Sequence, residues 1–191
     1  MKASKLLLLS AVFALMLTAG AFAQTDVFGK TDTVYAELNQ VNDKMWTITV
    51  SLTNDEDLLG LSVPLKMSSG VKTIVADSAV YTGGRVEHFA YKGFRPDTAI
   101  QCVTLGMVAN LGPTDNKLAA GEGRLATIFV SAMDEATIKE LSVDSTTTHP
   151  NNSLMLVADS KEIANILGEE VPTQVDKRVE ITPAFVVRKA K

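Results

Sequence analysis

Trp46-Thr47-Ile48-Thr49-Val50-Ser51-Leu52-Thr53 alternates apolar and hydroxyl side chains without a break. Successive side chains of a strand point to opposite faces, so this stretch is a half-buried β-strand with Trp46, Ile48, Val50 and Leu52 inward. After the break Asn54-Asp55-Glu56-Asp57 the alternation resumes, with Leu59, Leu61, Val63, Leu65 and Met67 opposed by Gly60, Ser62, Pro64 and Lys66. The two runs read as strands joined by a short acidic turn. Pro64 has no amide to donate and falls on the outward face, which points to an edge strand or a bulge.

The same pattern recurs on both sides. Thr33–Leu38 is a first strand, and Asn39–Lys44 carries turn residues. Val71–Ala76, Val86–Tyr91, Thr98–Val108, Arg124–Met133, Leu154–Ala158 and Arg178–Val187 read as further strands. Thr98–Val108 holds few charges and so reads as buried on both faces. Lys92–Asp97 and Asn110–Gly123 read as loops, rich in glycine and proline. Two spans fit either a short helix or a strand: 134–141, with Asp134 as a cap, and 161–167, with Ser160 as a cap and Gly168 as a stop. With no βαβ alternation, the fold class is all-β: an antiparallel β-sandwich, jelly-roll or immunoglobulin-like, of about nine strands and at most one or two short helical turns.

The N-terminus reads differently. A basic head, Met1–Lys5, precedes an apolar run, Leu6–Leu17, and Ala21-Phe22-Ala23 stands before Gln24. That order is a secretory signal peptide over 1–23, and the run is too short to span a bilayer. Residues 24–31 form a short linker, 32–187 the sandwich domain, and 188–191 a basic tail. Localisation is then secreted, extracellular or periplasmic. Cleavage removes Lys2 and Lys5 and takes the formal net charge from -4 to -6. An acidic chain of scattered charge lacks the footprint for nucleic acid or an anionic membrane. The single cysteine, Cys102, allows no internal disulfide and reads as a buried, inert thiol.

The stretches Asp32–Ala36, Trp46–Asn54 with Leu59–Leu65, and Ala120–Val130 resemble those of cohesin domains and related carbohydrate-binding sandwiches of bacterial extracellular proteins. The resemblance spans Asp32 to Pro183. It implies a jelly-roll-like sandwich that binds a protein partner or an extracellular polysaccharide through a face or loop, without catalysis. The chain carries no D-x-N-x-D-G calcium-loop segment, so no dockerin is fused to it, and no binding residue carries over from the family.

Chemistry-bearing residues are sparse. The acids Glu56, Asp57, Glu122, Glu169 and Glu170 read as solvated rather than as a catalytic pair, so the chain reads as no enzyme. His88 and His149 lack metal-ligand spacing. No cofactor is implied. Asn54-Asp55-Glu56-Asp57 has the oxygen chemistry to hold Ca2+ weakly, but it lacks the glycine and alternation of a dedicated loop and reads as a polar turn. The segment Tyr81–Asp97 is the binding candidate. It interleaves Tyr81, Phe89, Tyr91 and Phe94 with Arg85 and Arg95, pairing aromatic area with directional donors. Core packing competes for the same aromatics, and Trp46 reads as core because it keeps phase with Ile48.

Three functional readings follow: a cohesin-like protein-binding module, a carbohydrate-binding module, and a small secreted hydrolase. Sugar binding requires Tyr81, Tyr91 or Phe94 exposed and coplanar with a neighbour. Hydrolysis requires two close carboxylates in a cleft.

Overall fold

A computed structural model describes residues 29–70, 73–110, 116–134, 136–146, 153–159 and 178–189. Among these residues are eleven strands: β1 (Thr33–Asn42), β2 (Met45–Asn54), β3 (Leu58–Ser69), β4 (Ile74–Val80), β5 (Tyr91–Asp97), β6 (Cys102–Val108), β7 (Gly121–Ala132), β8 (Leu141–Ser145), β9 (Met155–Asp159), β10 (Arg178–Ile181) and β11 (Ala184–Lys189). They form two sheets, ordered β11-β1-β2-β7-β4 and β10-β9-β3-β6-β5, with β8 also paired to β3. All pairings are antiparallel except β1 with β11. The all-β sandwich expected from the alternation is the fold.

β2 shows why. Ile48, Val50 and Leu52 are fully buried, while Thr47, Thr49, Ser51 and Thr53 are half-buried on the outer face. Across the sandwich they meet Leu61, Val63, Leu65 and Met67 of β3 and Val103, Leu105 and Met107 of β6, in one continuous apolar core. Each such fully buried aliphatic side chain contributes about 1.5–3 kcal/mol, which lets the domain stand without a disulfide. Cys102 is free and buried, as its setting implied.

Several local expectations give way to the structure. The run from Val86 to Phe89 is not a strand. Gly84 N donates to Tyr81 O, Glu87 N to Gly84 O and Phe89 N to Val86 O, a series of tight turns. Such turns bury residues three apart, here Val86 and Phe89, and sequence alternation mistakes this for a strand face. Lys92–Asp97, expected as a loop, lies in β5. It is an edge strand, where Pro96 and the charged residues cost little. β6 starts at Cys102 after a turn and is buried on one face only, with Thr104, Gly106 and Val108 half-buried on the other.

β3 departs twice from its expected pattern. A bulge between Leu58 and Gly60 turns Leu58 into the core and leaves Leu59 half-buried. Pro64 is buried in a central strand, not at an edge. On one side of β3, β9 pairs Leu58–Ser62 and β8 pairs Leu65–Ser69, so Pro64 falls at the junction of the two. Its carbonyl accepts Thr146 N on that side. The N and C=O of one strand residue share a side, so the missing amide faces the gap where no ladder bond is needed.

The first strand runs four residues further than expected, through Asn42, with Asn42 Oδ1 accepting Lys44 N at 2.9 Å in the turn. Asp134 heads a turn, not a helix. The chain then crosses to β8 with Ile138 buried and its N donating to Asp43 O. The described residues contain no helix. β11 continues through Arg188 and Lys189, opposite Glu37 and Leu38. The 161–167 span and the expected signal peptide over 1–23 lie outside the described residues, and no described helix is long and apolar enough to cross a membrane.

Candidate functional site

The outer face of the second sheet is built from residues that alternate with the core set of β9, β3, β6 and β5. Its rows run across four strands. Val157, Gly60, Val108 and Tyr91 form one, and Met155, Ser62, Gly106 and Gly93 form the next. Pro64, Thr104 and Arg95 make a third. The middle row is almost all small side chains, so the surface is a flat shelf with apolar area at Val157, Val108 and Met155. Tyr91 is 51 % exposed. Its ring folds over Gly93, where an added Cβ would meet the hydroxyl at 2.6 Å, and comes within 3.9 Å of one placed on Gly106.

The outer face of the first sheet has different chemistry. β2 presents four hydroxyls there, and Thr33, Thr127 and Ser131 extend them. Its tyrosine, Tyr35, is capped by the Arg188 guanidinium at 3.7 Å from the ring centroid. Phe129, paired with Thr47, and the exposed Val186 and Val80 add apolar area among these hydroxyls.

The six candidate residues separate. Tyr81 is half-buried and its hydroxyl donates to Gly93 O at 2.8 Å, which ties the 81–90 turns to β5. Burial, with a smaller contribution from Tyr91, pushes the Tyr81 phenol up to about 12. Phe89 is in the core, with His88 edge-on at 5.1 Å. Phe94 packs against the core from β5. Arg85 leaves the group altogether. Its guanidinium donates to Leu52 O, Asn54 Oδ1, Gly121 O and Ala119 O, closing one end of the sandwich. Burial pulls its pKa down and the Asp32 carboxylate pushes it back up. Tyr91 and Arg95 alone of the six are exposed on the shelf. No exposed, coplanar aromatic pair forms among these residues.

No protein-family model matches the chain, and no curated protein matches it. Solved structures do. The seventh ScaB type I cohesin from Pseudobacteroides cellulosolvens matches 84% of this chain and 92% of its own, with a TM-score of 0.55 at 8% identity. The third ScaC cohesin from Acetivibrio cellulolyticus, solved in complex with the ScaB dockerin, matches 80% of this chain and 99% of its own, with a TM-score of 0.54 at 11% identity. The fold is that of a cohesin module. The sixth cohesin of scaffoldin B from Acetivibrio cellulolyticus, in complex with a Cel5 dockerin mutant, matches 83% of this chain with a TM-score of 0.51 at 9% identity and is covered over 99% of its length.

Among the described residues, this cohesin-like sandwich brings together an acidic cluster that the sequence alone leaves dispersed. Asp32, Asp55 and Glu56 each place a carboxylate oxygen within 4.8 Å of the others. Glu56, expected in solvent, is 1 % exposed, as is Asp32. The turn folds inward because Asn54, itself buried, donates to Glu56 O at 2.6 Å and accepts from Arg85 at 2.8 Å. Lys30 N donates to Asp55 Oδ2 at 2.7 Å. A paired-acid cleft for hydrolysis is not what this makes, because two of its three carboxylates are sealed from substrate. The signal was present in Asp32: an acid beginning a strand, with a turn of acids one strand away.

Sequence reasoning also missed the shelf. Gly60, Gly106 and Gly93 lie far apart in the chain and meet only through the register of β3, β6 and β5.

Proposed function

We propose that the protein is a secreted, non-catalytic binding module that holds a protein partner on the outer face of β9, β3, β6 and β5. The observation that carries this reading is the row of small side chains Ser62–Gly106–Gly93 between apolar flanks, with the exposed Tyr91 ring folded over its Gly93 end. Small side chains at Ser62 and Gly106 let a partner's helix or strand approach closely there, and a half-exposed aromatic is a favoured anchor. Solved cohesins of this fold are described in complex with dockerins, which supports a protein as the partner. Polysaccharide binding on this face is less favoured, because Tyr91 is its one aromatic among the described residues. Tyr91 and Arg95 are the candidates that retain a contact role.

The test is capture of partners from the source's secreted fraction by the purified domain and by two surface variants. Gly106→Arg plants a long cation in the middle of the shelf, and Thr49→Arg does the same on the hydroxyl face. Loss of one captured protein with Gly106→Arg and its retention with Thr49→Arg is the expected result. Equal loss in both, or binding of insoluble polysaccharide with no protein partner, overturns the reading.

A further inference from the structure

A cleft lies at one end of the sandwich, away from the shelf. The overhanging β1–β2 hairpin, the end of β11 and the crossover into β8 enclose an open cleft of about 470 Å³. Small-ligand sites fall in the range of about 300–1,000 Å³. The cleft is lined by Asn39, Gln40, Trp46, Lys139, Glu140 and Lys189, together with Leu38 and Leu141 at its floor. Trp46 keeps the phase of Ile48 and is half-buried, so it packs against the core and also lines the cleft.

The indole is held in place. Its Nε1 donates to Ile138 O at 2.9 Å, and Gln40 Nε2 reaches the same carbonyl at 3.5 Å. This fixes a rigid aromatic plane beside the Gln40 amide, its cross-strand partner. At the rim, Lys189 Nζ lies 3.3 Å from Glu140 Oε1, both side chains more than 70 % exposed at 74% and 73%. Such an exposed pair is worth little by itself and is free to exchange for a ligand. Lys139 adds a second cation, so the rim carries two positive charges against one negative.

From this arrangement we infer that the cleft binds an acidic saccharide of one or two rings. The indole takes the apolar face of the sugar, Gln40 takes a hydroxyl, and Lys139 with Lys189 takes the carboxylate. A neutral sugar leaves the lysine excess unused, and a simple anion leaves the indole unused. The site lies apart from the shelf of β9, β3, β6 and β5, so it neither requires nor excludes the partner proposed there.

Trp46 is the one tryptophan of the chain, which makes its fluorescence a direct reading of the cleft. The purified domain is titrated with digalacturonate and, separately, with cellobiose. Digalacturonate is expected to shift and saturate the Trp46 emission at a lower concentration than cellobiose, by about tenfold. Lys139→Glu and Lys189→Glu, both on exposed side chains, are expected to weaken that binding at least tenfold with unchanged thermal midpoints. In backbone amide spectra the perturbed signals are expected within 38–46 and 136–141. No emission change up to about 10 mM digalacturonate, equal response to cellobiose, or wild-type binding by both lysine variants each overturns the proposal.

Discussion

Arg85 Nη1 donates to Asn54 Oδ1 at 2.8 Å, joining the 81–90 turns to the turn between β2 and β3. The same guanidinium caps carbonyls of Leu52, Ala119 and Gly121, so one side chain gathers three chain segments. Asn54 then passes the constraint to Glu56 O. A charged fork with several acceptors is a task for arginine, because lysine has no planar array of donors.

Arg85→Met is expected to lower unfolding free energy by about 2–3 kcal/mol, since it leaves partly buried acceptors without their donor. Arg85→Lys restores less than half of the loss. Urea denaturation of the three proteins checks both. A lysine variant as stable as the wild type would mean that charge alone, not the fork, holds this end together.

Tyr81 gives an alkaline signature. Its phenol is pushed up to about 12, first by burial and then by Tyr91. A raised acid pKa means that the folded state keeps a proton which the unfolded chain gives up near 10. Its contribution to stability is therefore complete below pH 10 and is lost as pH rises from 10 towards 12. In an absorbance titration at alkaline pH, one of the three tyrosines ionises only near about 12, and Tyr81→Phe removes that step. Persistence of the step in Tyr81→Phe contradicts the assignment.

Two glycines close in sequence have opposite tolerances. A Cβ on Gly84 would collide with the backbone of Leu125 and Tyr81, which cannot yield without moving β7. A Cβ on Gly93 meets only the far end of the Tyr91 side chain, which can swing away. Gly84→Ala is expected to cost about 2 kcal/mol or more, as overpacking against fixed atoms does, and Gly93→Ala less than about 1 kcal/mol. Thermal midpoints of the two variants rank them. The reverse order would place the strain elsewhere.

How far the sequence could be read depends on what each residue answers to. β2 and β7 were legible because one sheet face is core and the other is solvent, so hydrophobicity alternates with the pleat. The same test failed at Val86–Phe89, where tight turns bury residues three apart. It failed in reverse at β5, whose ladder to β6 is backbone and whose only strong inward anchor is Phe94. The Leu58–Gly60 bulge shifted one residue of β3 and nothing before it announced that shift. Pro64 reads as an edge residue until β8 and β9 are known to divide one side of β3 between them. For the site, Tyr91 and Arg95 were found from composition. The glycine row and the Trp46 cleft depend on strand register and on the crossover at Ile138, which no local pattern encodes.

The central claim is that the glycine-lined face of β9, β3, β6 and β5 is where a protein partner sits. A photo-crosslinking amino acid placed at Gly106, and in a second protein at Thr49, reads the two faces separately. After exposure to the source's secreted fraction and illumination, mass spectrometry of the adducts shows what each face touched. The account predicts a discrete protein adduct at position 106 and none at 49. An adduct at 49 alone, or the same adducts at both positions, would contradict it.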